Sequence, residues 1–400
     1  MNRLVNYREF VSESQIASIY RKATKLCDKH IVHINSTYTG GGVAEMLRSS
    51  IPLMNETGID AGWRMVVGFK DYYKVTKKLH NTLQGEDINF TSWNKKLYEE
   101  TNKKFSSFTH LDHDLVIIHD PQPLPLIQYS SKTQPWLWRC HIDLSNPDKD
   151  VWDYLKNYVL KYDATIYQLE QFKMEGGNEY EYVLRPAIDP LTIKNKDLEE
   201  KKVVERLKDV GIDTERPFIA QVSRFDKWKD PLGVIKIFKI IKEMGIDCQL
   251  VLVGGMATDD PEGEIIYRQL REEIKEMEDV ILLLDAPDIL VNAVQSKAEV
   301  ILQMSIKEGF GLTVTEALWK RTPVVSTKVG GIPQQIDHGK NGYLVEPGDY
   351  TDAAKRTADL LQDDGKRREM GIAGRQKVKE NFLIPRLVED WIDILTDQLC

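Results

Sequence analysis

The sequence predicts an α/β protein built from two doubly wound domains facing across a cleft, and three observations predict it. Short β-branched runs alternate with longer amphipathic stretches along the whole chain, the rhythm of parallel sheets covered by helices. The 400 residues suffice for two domains of roughly 200 each. Between them, Arg185-Pro186 and Asp189-Pro190 interrupt the rhythm, because a residue before proline avoids the helical region.

Each element follows from the same pattern. Near-continuous apolar runs, the mark of strands buried on both faces, predict strands at Ile31–Asn35, Trp63–Val67, Leu115–His119, Leu137–Ile142 and Ala164–Gln168. In the second half they fall at Phe218–Val222, Leu250–Val253, Val280–Leu284, Val300–Met304, Pro323–Ser326 and Gly342–Val345. A joint spans Val183–Asn195, and the charged stretch from Lys194 to Lys208 carries apolar positions at helical spacing. The last periodic segment, Ile384 to Leu399, follows a helix and no further strand. The expected domains are residues 1–188, completed by the terminal helix 384–400, and residues 189–383. In doubly wound sheets, ligands bind beyond the carboxyl ends of the strands.

Composition narrows the function. With 42% hydrophobic and 29% charged residues the chain reads as globular rather than disordered. A net charge of −8 argues against general nucleic-acid binding, which needs a basic field. No apolar run approaches the ~18 residues of a membrane span, and Met1 to Tyr20 lacks the apolar core of a signal peptide. The basic segment Tyr20–Lys25 is short and lacks a broad apolar face, so it reads as a solvated helix surface rather than a membrane anchor. Four scattered cysteines without a CxxC pair fit a reducing cytoplasm and form neither a disulfide frame nor a zinc site.

Three strand-end segments carry residues suited to chemistry. Gly40-Gly41-Gly42 follows the first strand and opens a helix, where glycines allow close backbone approach and free N–H groups face an anion. Its spacing matches no nucleotide fingerprint, and a plain tight turn accounts for it equally. Arg224 and Lys229 follow the strand Phe218–Val222, where an arginine fork and a mobile lysine charge suit a diphosphate; a solvated charged loop is the bland alternative. Glu308 and Glu316 bracket Gly309-Phe310-Gly311-Leu312 at another strand-to-helix turn, whose backbone N–H groups suit an anion. A pair of glutamates is more often a surface feature, but Phe310 and Leu318 between and beside them argue for burial.

Together these spacings resemble a known family. Glu308 to Glu316 has the E-x7-E spacing, and Arg224 to Lys229 the R-x4-K spacing, of retaining glycosyltransferases of the GT-B fold. Further stretches look like one branch, the glycosyltransferring trehalose synthases of family 4: His33-Ile34-Asn35-Ser36-Thr37, Gly40 to Glu45, His119-Asp120-Pro121-Gln122-Pro123, Trp136 to Ser145, Gln221 to Asp226 and Ile301 to Ser305. The likeness runs from about residue 30 to the C-terminus.

The resemblance implies two Rossmann-like domains and a role for each matching residue. Arg224 and Lys229 would neutralise the leaving diphosphate, Glu308 would touch the donor sugar, and Glu316 would hold the ribose hydroxyls. The backbone of Phe310, Gly311 and Leu312 would add N–H contacts, and Gly41 and Gly42 would approach the donor phosphate. His141 would lie beside the transferred sugar, although a lone histidine is more often a core residue. His119, Asp120 and Asp143 would lie on the acceptor side. Leu284 to Asp288 would line the base pocket, with Asn292 and Gln295 on the following helix open to a purely structural reading.

The expected reaction moves glucose from a nucleotide-diphosphate-glucose to free glucose, forming α,α-trehalose, with a cleft that closes on the donor. A retaining trehalose phosphorylase, a related glucosyltransferase with another small acceptor, and a non-catalytic sugar-nucleotide sensor remain alternatives, since fold alone does not separate them. The expected partners are nucleotide-diphosphate-glucose and glucose or trehalose, with no nucleic acid and no membrane; a homodimer is left open. No cofactor or metal is expected, because Asp112-His113-Asp114 precedes its strand and Asp259-Asp260 sits beside Pro261 in a loop.

Overall fold

A computed structural model describes residues 3–39, 41–174, 176–255 and 263–400. Gly40 and the Asp259-Asp260 pair therefore lie outside the described residues. The chain divides into two compact units, Met1–Ala187 with Ile384–Cys400, and Ile188–Leu383.

The first unit holds a six-stranded parallel sheet: β1 (His30–Asn35), β2 (Asp60–Met65), β3 (Leu115–His119), β4 (Trp136–Arg139), β5 (Ala164–Tyr167) and β6 (Tyr180–Val183), in the order β2-β1-β3-β4-β5-β6. The apolar runs of β3, β4 and β5 are buried throughout, as central parallel strands must be when helices cover both faces. Sequence reasoning missed β6. Its Tyr-Glu-Tyr-Val run is only partly buried at the sheet edge, so no continuous apolar signal marks it. It also placed β2 three residues late: the paired residues are Asp60–Met65, an edge strand, while Val67 lies beyond it and exposed.

The second unit holds β7 (Phe218–Arg224), β8 (Gln249–Gly255), β9 (Val280–Leu284), β10 (Val300–Gln303), β11 (Val324–Thr327) and β12 (Gly342–Val345), in the order β12-β11-β10-β7-β8-β9. This is a dinucleotide-fold strand order, and the chain changes direction across the sheet between β7 and β10. The equivalent switch in the first unit falls between β1 and β3.

The helical periodicity expected from Lys194 becomes a helix only at Glu200–Lys208. The residues before it are committed elsewhere: Asn195 O accepts from Trp319 Nε1, and Asn195 Oδ1 accepts from Lys320. The terminal helix Ile384–Leu399 buries an apolar stripe that includes Leu387, Trp391 and Leu395. The helix Glu13–Ala23 buries Ile16 and Ile19, while Lys22 on its outer side pairs with Glu389 and Asp393. No described helix is long and apolar enough to cross a membrane.

Candidate functional site

In the second unit, two strand ends at the β7/β10 switch carry three expected residues, Arg224, Lys229 and Glu308. Arg224 closes β7, and its Nη2 lies 3.3 Å from the buried carboxylate of Asp226. That carboxylate also accepts from Trp228 N at 2.8 Å, folding residues 226–229 into a tight turn. Asp230 follows with φ +47°, a left-handed conformation that aspartate tolerates better than most residues, and its Oδ1 caps the next helix at Gly233 N. The turn thereby aims Lys229 at the end of β10. Lys229 Nζ lies 2.5 Å from Glu308 Oε2, with both side chains largely buried.

Glu308 is held from its own side as well. Ser305 Oγ donates to Glu308 Oε2 at 3.2 Å, and Gln303 Nε2 donates to Ser305 Oγ at 2.8 Å. Gly311, at φ +83°, then turns the chain into the helix Leu312–Trp319, whose first N–H groups have no intrahelical acceptor. The turn is braced from behind: Gln335 Nε2 donates to Phe310 O, and Gly331 N donates to Gly309 O. A Cβ on Gly330 would lie 1.6 Å from Glu308 O, so only glycine lets these two segments pack. Phe310 is buried, so Phe310, Gly311 and Leu312 present backbone rather than a charged side chain.

Glu316 lies in the helix that follows the turn, buried rather than on the surface. Its carboxylate is fully buried, with Oε1 2.8 Å from Lys194 Nζ and Oε2 accepting from Gln295 Nε2 at 3.1 Å. Lys194 was not singled out from the sequence, since one lysine in a charged stretch carries no signal. Asn292 Nδ2 donates to Ile193 O and Lys196 O, tying its helix to the segment that carries Lys194. Gln295 thus supports an expected site residue, and Asn292 is a structural tie.

In the first unit, the expected residues gather at the ends of β1, β3 and β4. Gly41 has φ +92° and an open space where a Cβ would stand, so its backbone angle rather than crowding requires glycine; Gly42 begins the helix Gly42–Glu56. His119 is buried between two other histidines. His33 Nδ1 lies 3.0 Å from His119 Nε2, and His119 Nδ1 lies 3.0 Å from His141 Nε2. Both ring nitrogens of His119 are therefore engaged by histidines. Asp120, at φ +62°, accepts from His141 N at 2.7 Å, while its own carbonyl accepts from Trp138 Nε1. Gln168 Nε2 donates to His141 O at 2.9 Å, and Asp143 Oδ1 accepts from Ser145 N.

Burial sets the charges here. It pushes His33 down to about 3 and holds His119 and His141 well below the usual imidazole range, with the cation of Arg139 adding to the effect in each. The array is neutral at physiological pH. Burial also raises Asp120 to about 7, against the opposing pull of the His141 N–H and Arg139. Asp112 and Asp114 precede β3, and Asp114 accepts from His30 N and pairs with Lys29. Among the described residues no group of three or more His, Cys, Asp or Glu side chains is arranged to hold a metal ion.

Comparison with known proteins agrees with both halves. Residues 33–174 match the family model described as "Trehalose synthase, N-terminal domain", and residues 204–377 match "Glycosyl transferases group 1". The trehalose synthase of Thermococcus litoralis is 46% identical over 399 residues, covering 98% of this chain and 96% of that protein. The chain belongs to the trehalose synthase family.

It is accordingly a hexosyltransferase engaged in trehalose-related glycosyl transfer. A more distant relative, the trehalose phosphorylase of Grifola frondosa, is 31% identical over 90% of this chain and 56% of its own length. Among solved structures, the Anabaena protein HepE in complex with UDP and glucose superposes with a TM-score of 0.71 at 16% identity, over 92% of this chain and 99% of that one. Its likeness shows the fold, and the fold of this trehalose synthase family member is GT-B.

Proposed function

We propose that this protein is a retaining, metal-independent glucosyltransferase that moves glucose from a nucleotide-diphosphate-glucose to free glucose, forming α,α-trehalose. The observation that carries this reading is the convergence of Arg224, Lys229 and Glu308 on one switch-point turn, in a chain whose relatives are trehalose synthases. Arg224 and Lys229 receive the diphosphate, where their charge stabilises the leaving group as its bond to the sugar lengthens. Glu308 contacts the donor sugar and, before donor binds, balances Lys229. The backbone of Phe310, Gly311 and Leu312 adds N–H donors, and Gly41 and Gly42 admit the donor phosphate. A ribose at Glu316 shares or displaces the Lys194 contact.

Retention then needs no covalent intermediate on the enzyme. The departing diphosphate oxygen accepts the proton of the attacking hydroxyl on the same face of the sugar, while orientation and charge stabilisation come from the protein. His141 sits beside the transferred sugar, Asp120 and Asp143 serve the acceptor, and His119 acts through His141.

The phosphorylase relatives favour a second reading, in which inorganic phosphate occupies the Arg224 and Lys229 turn. One experiment separates the two. Labelled glucose is incubated with a panel of nucleotide-diphosphate-glucoses, and separately with glucose 1-phosphate. Label in a non-reducing disaccharide only with a nucleotide sugar supports the transferase. Disaccharide only with glucose 1-phosphate supports the phosphorylase, and binding without product leaves a sugar-nucleotide sensor.

A further inference from the structure

Three histidines in one buried line are more than one sugar contact needs. His33 on β1, His119 at the end of β3 and His141 just past β4 make consecutive hydrogen bonds of 3.0 Å and 3.0 Å. His33 and His119 are fully or nearly fully buried, and His141 is 9% exposed. The ends of the line have no protein partner: neither His33 Nε2 nor His141 Nδ1 makes a hydrogen bond among the described residues. Trp391 packs edge-on against His33, with ring centres 5.4 Å apart, and Arg139 lies over the Trp391 ring at 5.0 Å.

A neutral imidazole carries one N–H, and a ring that donates from one nitrogen must accept at the other. Three neutral rings in series therefore have only two proton orders. In one, His33 Nδ1 donates to His119 Nε2, His119 Nδ1 donates to His141 Nε2, and His141 Nδ1 is left with a hydrogen. In the other, every bond runs backwards, His141 Nδ1 is bare, and an N–H is stranded at His33 Nε2. Each order leaves one buried N–H without a protein acceptor, at His141 Nδ1 in the first and at His33 Nε2 in the second. A sugar oxygen bound beside His141 supplies the missing acceptor only in the first, and a buried N–H left unpaired is among the rarest features of folded proteins. Adding a further proton would place a cation in a buried site beside Arg139, which burial and that charge both oppose.

We propose that His33 and His119 are positioning residues that hold His141 as an Nδ1–H donor, aimed at an oxygen of the bound sugar. The inference rests on the reading of His141 as the histidine beside the transferred sugar, and it names what that reading leaves open, the tautomer and its cause. His33 touches no substrate. It acts from two imidazoles away by fixing which nitrogen of His141 carries hydrogen.

The test is a long-range proton–nitrogen spectrum of protein labelled at histidine nitrogens, with the three rings assigned from single-site variants. All three are expected as Nδ1–H tautomers in the wild-type protein with a nucleotide-diphosphate-glucose bound. A bare Nδ1 on His141 overturns the proposal. Kinetics supply the second arm. His33→Phe removes the donor to His119 and should lower kcat about tenfold, the scale of one hydrogen bond, with KM for the nucleotide sugar within about twofold. His33→Asn places an amide N–H near the position of Nδ1 and should recover most of that loss. Equal kcat in both variants and wild type overturns the positioning role. If the wild-type protein transfers no glucose, the functional reading fails while the spectrum still decides the proton order.

Discussion

The two units place their expected site residues at equivalent points of similar sheets and arm them with opposite chemistry. At the β7/β10 switch the groups are ionic: Lys229 against Glu308, and Arg224 beside Asp226. At the β1/β3 switch and the neighbouring end of β4 they are neutral: three imidazoles linked in series, with Arg139 as the nearby charge that helps keep them so. Fold position thus selects where a ligand binds, while the buried side chains select what kind. An ion-pair turn that can exchange its carboxylate for phosphate oxygens suits a diphosphate. A neutral array suits hydroxyl groups, which would gain nothing from a second buried cation.

The largest expected effects test the ionic turn. Arg224→Ala should lower kcat/KM for the nucleotide sugar by about 3 kcal/mol of transition-state stabilisation, on the order of 100-fold, with little change in melting temperature because Arg224 is partly exposed. Lys229→Ala should lose comparable activity and also destabilise the fold by about 3 kcal/mol, since it leaves Glu308 buried without its cation. Unchanged kcat/KM in both variants would remove the diphosphate assignment. Glu308→Gln keeps an acceptor for Ser305 and discards the charge, so transfer should fall further than stability. Early melting of that variant, with full activity per folded molecule, would make Glu308 a structural residue.

The neutral array should show itself in the pH dependence of stability. His33 is lowered from 6.5 to about 3, so the folded protein binds fewer protons than the unfolded chain between those values. Its contribution is present above 6.5 and is lost as pH falls toward 3. Asp120 does the reverse: its value is raised from 3.8 to about 7, so its contribution is present below 3.8 and lost as pH rises toward 7. Chemical denaturation from pH 4 to 8 should therefore show a shallower acid loss in His33→Phe, and a gain for Asp120→Asn over wild type that grows toward pH 7. Curves parallel to wild type in both would contradict the neutral-array description. The smallest expected effect is none: a chelator should leave transfer unchanged, because Arg224, Lys229 and backbone N–H groups supply the charge a divalent ion would bring. Loss of activity rescued by Mg²⁺ but not by salt would count against this.

Strands and motifs were legible where the signal is local. The continuous apolar runs of β3, β7 and β10 announce themselves, because a strand buried on both faces needs no partner to be recognised. The E-x7-E and R-x4-K spacings work in the same way, since one turn sets both members of each pair. The edges of the first sheet were not legible: β6 and the start of β2 are half exposed, and their composition resembles that of a loop. The Lys194–Glu316 pair was also hidden, being made across 122 positions of chain to a lysine with no distinguishing neighbours.

His33, His119 and His141 show where local pattern ends. Composition and spacing by themselves determined that two parallel α/β sheets would form, that cations and carboxylates would stand at one strand end, and that His141 would stand at another. Nothing in the spacing links His33 to His119 or His119 to His141, separated by 86 and 22 positions. The sheet order does, by placing β1, β3 and β4 side by side with His33 level with Ile117 and His119 level with Arg139. Each histidine then stands two residues farther along its strand than the last. Because side chains alternate between faces with a period of two, that stagger keeps all three on one side of the sheet, and the close spacing of neighbouring strands brings their rings within hydrogen-bonding reach.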